Sequence, residues 1–131
     1  MLRYLLDTCV VIWFLEENPR IKDLIEDITY FQGDYGISIE SLKEYLYLTQ
    51  SGKLKTNVTY PMLLNTLREN GISIYPIEDG TLETLYKLPF FANHPDPSDR
   101  IIIAQSIYDN RTLISGDHNF MLYKDLKLLS V

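Results

Sequence analysis

A chain of 131 residues with 46% apolar content suits one globular domain, spanning residues 1–131, with its own core, and its composition argues against disorder. A net charge of −6 argues against a surface that grips nucleic acid over its whole area. No apolar stretch reaches membrane-span length, and the single cysteine, Cys9, excludes an intrachain disulfide, which points to the cytoplasm.

The first residues, "MLRYLLDTCVVIWFLEE", start like a signal peptide, but Asp7 breaks the apolar run and no small-residue cleavage site follows. "RYLLD" is instead a short apolar run ending in an acid and reads as a buried strand. "TCVVIWFLEE" follows as a helix with Thr8 as its candidate cap. In "NPRIKDLIEDITYF", Ile21, Leu24, Ile25 and Ile28 recur at helical spacing behind Pro19, so an amphipathic helix is expected. "YGISI" is a second strand. "ESLKEYLYLTQSGKL" is a helix ending near Gly52, and "YPMLLNTLRENG" is a helix opened by Pro61 and closed by Gly71. "ISIYPI" alternates and is β-branched, as a third strand should be. "DGTLETLYKL" and "PSDRIIIAQSIYDN" are helices, "TLIS" is a fourth strand and "LKLLSV" a fifth. Short apolar strands alternating with helices predict an α/β fold: a three-layer α/β/α sandwich around a parallel sheet of about five strands. Such folds bind ligands beyond the carboxyl ends of the strands, where strand order switches.

Several acids fall at or near that edge. Asp7 ends the first strand, and Asp117 lies two residues beyond the fourth, in "ISGDHNF". "HPDPSDRIIIAQS" holds Asp96 and Asp99 at the start of a helix. Capping alone accounts for both: Asp96 as N-cap, Pro97 as first helical residue, Asp99 against the helix dipole. A helix start that precedes a strand belongs at the opposite edge of a simple β-α-β unit. Asp99 therefore reaches the carboxyl edge only if the segment from Leu88 to Pro97 carries the chain back there, at about 3.3 Å per extended residue. On the helix after the second strand, Glu40 and Glu44 share one face. Glu40 is an ordinary first-turn acid. Glu44 sits mid-helix, where the alternatives are a solvated face or a site.

Several carboxylates in one place repel unless protons are shared or a cation is bound. Oxygen donors with little histidine suit Mg²⁺ or Mn²⁺ rather than zinc, and hence phosphodiester or phosphoryl chemistry. Between Glu44 and Glu69 there is no acid, while Lys53, Lys55 and Arg68 occur among Tyr45, Tyr47 and Tyr60. That stretch is either a local face for RNA or an acidic partner, or a solvated helical hairpin. Cys9 reads as a small packing residue, and His94 and His118 as loop histidines without a further role. No Gly-rich dinucleotide fingerprint or P-loop is present.

Four stretches in this order, "YLLDTCVVIWFL", "ISIESLKEYLYLTQSGKL", "HPDPSDRIIIAQS" and "LISGDHNF", resemble the PIN-domain family, and within it the VapC-type toxins of toxin–antitoxin pairs. The resemblance covers nearly the whole chain. It implies a metal-dependent endoribonuclease in which Asp7, Glu44, Asp99 and Asp117 hold one or two Mg²⁺ or Mn²⁺ ions, with Ser115 supporting them. It also implies an RNA substrate, a homodimer and an antitoxin partner whose C-terminal segment covers the site. Cys9 stands where these toxins often carry His, Ser98 where an aromatic is common and Lys43 where Trp is common. No carboxylate is lost. The rival expectation is a PIN-fold module that no longer cuts and binds RNA or a protein.

Overall fold

The computed structural model of the chain describes residues 2–131. Strands β1 (Arg3–Leu6), β2 (Asp34–Ser38), β3 (Ser73–Tyr75), β4 (Thr112–Ser115) and β5 (Leu128–Ser130) form one sheet in the order β3-β2-β1-β4-β5. Every neighbouring pair is parallel. Six helices accompany them: α1 (Thr8–Leu15), α2 (Lys22–Thr29), α3 (Ile39–Gln50), α4 (Tyr60–Glu69), α5 (Asp79–Lys87) and α6 (Pro97–Tyr108).

The central strands have no polar side because both of their faces are covered. Leu6 and Ile114 pack into a cluster with Val10, Phe14, Ile28, Leu42 and Leu67 from α1 to α4. Their neighbours Leu5 and Leu113 belong to the opposite cluster, with Ile102 and Ile103 of α6 and Phe120. Each such fully buried Leu or Ile contributes about 1.5–3 kcal/mol. These two cores on either side of one sheet make the expected three layers.

Local signals are mostly met, with three differences. The cap of α1 is Asp7, not Thr8: Asp7 keeps the extended backbone of the strand, and its carboxylate accepts the Thr8 N–H at 2.9 Å. Thr8 is already helical. The expected second helix is divided, because Asn18 and Pro19 first set up a 3₁₀ turn over Pro19–Ile21 before α2 begins.

The third difference positions the site. The chain reaches β4 from β3 by crossing over β2 and β1, through α5 and α6. Gln105 of α6 donates to the Tyr75 and Pro76 carbonyls at 3.2 and 3.0 Å, holding the chain as it leaves β3. Gly80, at the start of α5, lies against Tyr108 at the end of α6, so closely that a Cβ would meet the ring at 2.1 Å. At the other end Arg100 donates to the Pro89 carbonyl at 2.8 Å. The two helices are therefore antiparallel. It is α5 that climbs to the carboxyl edge; the segment from Leu88 onward only turns the corner. Pro97 and Asp99 consequently start α6 at the same edge as Asp7.

At the opposite edge Arg111 is buried, donating to the Tyr4 carbonyl, Asp34 and the Tyr75 hydroxyl. Its guanidinium lies 4.0 Å from the centre of the Tyr75 ring. That ring lies over Gly36 of β2, where a Cβ would come within 2.2 Å of it.

Candidate metal centre at the carboxyl edge

In this strand order the switch falls between β1 and β4. Asp7 follows β1 and Asp117 follows β4, so the two acids flank the switch point. Ser115, the last residue of β4, ties them together. Its hydroxyl donates to Asp7 Oδ2 at 2.7 Å and accepts the Asp117 N–H at 3.0 Å. Asp117 in turn accepts the Asn119 N–H at 2.9 Å and caps the 3₁₀ turn His118–Leu122. Asp7 is buried, and burial holds its carboxyl above the usual range against the lowering effect of the Ser115, Thr8 and Cys9 hydrogen bonds. The charge of Asp117 raises it further.

Glu44 projects from α3 into the same region, half-buried. Burial raises its pKa first, and the charges of Asp7, Asp96 and Glu40 add to that. The Thr8 hydroxyl offsets part of this, yet it does not reach hydrogen-bond geometry and stays buried without a partner. Asp99 shows the convergence most clearly: burial and the charges of Asp7, Asp96, Glu44 and Asp117 push its carboxyl up to about 8. Asp99 thus feels the other three acids, while Asp7 feels Asp117 and Glu44 feels Asp7. Asp96 keeps its capping role, accepting the Ser98 N–H at 2.9 Å.

Glu40 is turned aside, accepting from the Ser98 hydroxyl at 2.7 Å and pairing with Lys43 at 3.1 Å. Two of the three departures from the toxin pattern, Ser98 and Lys43, therefore meet on one carboxylate. The third, Cys9, donates its thiol to Asp7 at 3.6 Å.

His94 is the residue that sequence reasoning set aside. It is only 4% exposed. Its Nε2 lies 3.4 Å from Asp99 Oδ2 and 3.7 Å from Asp117 Oδ2. Phe120 and Tyr123, far along the chain, pack edge-on against the ring and bury it. Nothing local in "ANHPDP" carries that information.

Beside the acids lies a groove of about 560 Å³, lined by Glu44, Asp96 and Asp99 together with Lys43, Lys53 and Tyr47. Lys53 sits 5.1 Å from the Tyr47 ring centre. The acid-free stretch is thus divided: Lys53 and Tyr47 reach the groove, Tyr45 is a core residue bonded to the Val58 carbonyl, and Arg68 faces a separate hollow beside β3. Buried carboxylates that raise one another's pKa, in a wall otherwise carrying cations and an aromatic ring, suit a divalent cation with hard oxygen donors.

Two comparisons agree with this fold. The chain superposes on the VapBC2 complex of Rickettsia felis bound to a promoter DNA fragment (TM-score 0.73, 17% identity, 97% of each chain). It also superposes on the DNA-bound VapBC of Salmonella typhimurium (TM-score 0.69, 13% identity, 99% of this chain and 98% of that one) and on a toxin–antitoxin complex from Klebsiella pneumoniae (TM-score 0.62, 16% identity, 97% and 96%). At such identities the likeness is one of fold. No curated protein matches by sequence. Residues 4–126 match the PIN domain, nearly the whole chain, and the protein belongs to the PIN domain family.

Proposed function

We propose that residues 1–131 act as one PIN domain that is a metal-dependent endoribonuclease, the VapC-type toxin of a toxin–antitoxin pair, working in the cytoplasm as a homodimer. The observation that carries the reading is the gathering of Asp7, Glu44, Asp99 and Asp117 at the switch point, with Asp99 raised to about 8 by burial and then by the charges of its neighbours. Acids so placed destabilise one another unless a cation joins them.

In this reading the four carboxylates hold Mg²⁺ or Mn²⁺. When bound, the ion neutralises charge on a phosphodiester and makes a bound water more acidic. The chain's own residues do the rest. Ser115 fixes the buried Asp7 and the Asp117 backbone in one arrangement. Lys43 and Lys53 supply positive charge along the groove, and Tyr47 offers a face on which a base can stack. The antitoxin is supported by the VapBC and toxin–antitoxin neighbours, and a covering segment would occupy the same groove.

The test is cleavage of a panel of structured RNAs with Mg²⁺ or Mn²⁺ against chelator, comparing wild type with Asp7→Asn and Asp99→Asn. Metal-dependent cutting lost in both variants is expected. Cutting that persists in both comes from a contaminant. RNA bound but never cut by wild type, with metal present, gives the binding-module reading.

A further inference from the structure

The tightest grouping of possible ligand atoms at the site is not made of carboxylates alone. Among the described residues, His94, Asp99 and Asp117 offer atoms that all lie within 4.8 Å of one another, a spacing one cation can span. The His94 Nε2 is buried, aimed at both carboxylates and has no hydrogen-bond partner. A buried, unpartnered ring nitrogen is costly unless something takes its lone pair or its proton.

The other nitrogen is already engaged. Nδ1 lies 2.9 Å from the Tyr123 hydroxyl, which also lies 3.4 Å from the His94 carbonyl. A phenol has one proton to give. If it goes to the carbonyl, Nδ1 must donate to the Tyr123 oxygen, and Nε2 is left with a lone pair facing two carboxylates. Three electron-rich atoms then face each other, an arrangement that a cation relieves. The ring is held for this: Phe120 and Tyr123 meet it edge-on at 5.1 and 5.5 Å between centres, and the His94 N–H donates to the Phe91 carbonyl at 2.9 Å. A hydrogen bond on the far nitrogen is the usual way a metal-binding imidazole is oriented.

We propose that His94, through Nε2, is a ligand of the divalent cation together with Asp99 and Asp117, so that the site is a mixed nitrogen–oxygen centre. This rests on the metal-site reading above and adds a consequence to it. An imidazole donor favours first-row transition ions over Mg²⁺, which takes oxygen. Asp7 and Glu44 act on this group through their charges, which reach Asp99.

Pulsed EPR of Mn²⁺ bound to the full chain reads a nitrogen ligand directly and needs no activity. Wild type is expected to show nitrogen coupling that changes when the histidines are labelled with ¹⁵N, and His94→Asn is expected to lose it. In equilibrium titrations His94→Asn should lose Co²⁺ affinity on the order of tenfold to a hundredfold, with Mg²⁺ affinity altered much less. Mn²⁺ bound by wild type without nitrogen coupling overturns the proposal and leaves the carboxylate site standing. Coupling that survives in His94→Asn overturns it too, since His118 is then the nitrogen. Should His94→Asn not fold, the labelled wild type decides alone. Wild type that takes up no Mn²⁺, or uptake undiminished in Asp99→Asn, removes the metal-site reading and this inference with it.

Discussion

Asp99→Asn exchanges a carboxyl for an amide of nearly the same shape, so its effect isolates charge. In the metal-free protein Asp99 is raised from 3.8 to about 8, chiefly by burial and by Asp7, Asp96 and Glu44. A folded-state pKa above the unfolded one means that the native state holds its proton longer. Stability from this group is therefore intact below about pH 4 and is lost as pH rises toward 8. At 1.36 kcal/mol per unit, the full shift would amount to about 5–6 kcal/mol. The side chain is 20% exposed at the groove. Solvent and relaxation there cut the expected penalty to about 2–3 kcal/mol. Asp99→Asn should thus match wild type near pH 4 and exceed it by that amount at pH 8.5, or roughly 6–10 °C in melting temperature. Mn²⁺ at about a thousand times its Kd should reverse the order at pH 8.5, because it adds about 4.1 kcal/mol only where the site is complete. Thermal melts of both proteins at a series of pH values, in chelator and in Mn²⁺, give the result. If the variant is no more stable than wild type at pH 8.5 in chelator, the acids do not converge as described.

Other outcomes follow from single contacts. Ser115→Ala removes the donor to buried Asp7 and the acceptor for the Asp117 N–H, so urea unfolding should show a loss of about 1–3 kcal/mol, with Mn²⁺ affinity reduced as well. Cys9 is pushed up to about 12 by burial and by the charge of Asp7, so a thiol reagent at pH 8 should label native metal-free protein far more slowly than urea-unfolded protein. Gly36→Ala puts a Cβ into the Tyr75 ring that Arg111 holds in place, and denaturant midpoints should report a loss of about 1–3 kcal/mol.

Much of the fold was written locally. Apolar runs such as "YLL" and "TLIS" suit buried strands, and the Pro61 and Gly71 pair brackets α4 because each residue has a backbone preference that sequence alone expresses. The same holds for acids at strand ends: Asp7 and Asp117 reach the carboxyl edge because a parallel sheet puts every strand's end there. The direction of α5 was not legible. It depends on Gly80 meeting Tyr108 and on Arg100 reaching Pro89, contacts between residues that no periodicity relates. That antiparallel pairing brings Asp99 to Asp7 and turns a capping acid into a candidate ligand. Glu44 was separable from Glu40 by position but not by environment, since Ser98 and Lys43 occupy Glu40 only once α6 packs beside α3. His94 was hidden for the same reason. Its burial comes from Phe120 and Tyr123, and its polar neighbours from α6 and the turn after β4. Sequence thus determined the elements and which acids end strands. Tertiary packing decided which groups share one low-dielectric space, because burial and charge coupling act through distance in space and not along the chain.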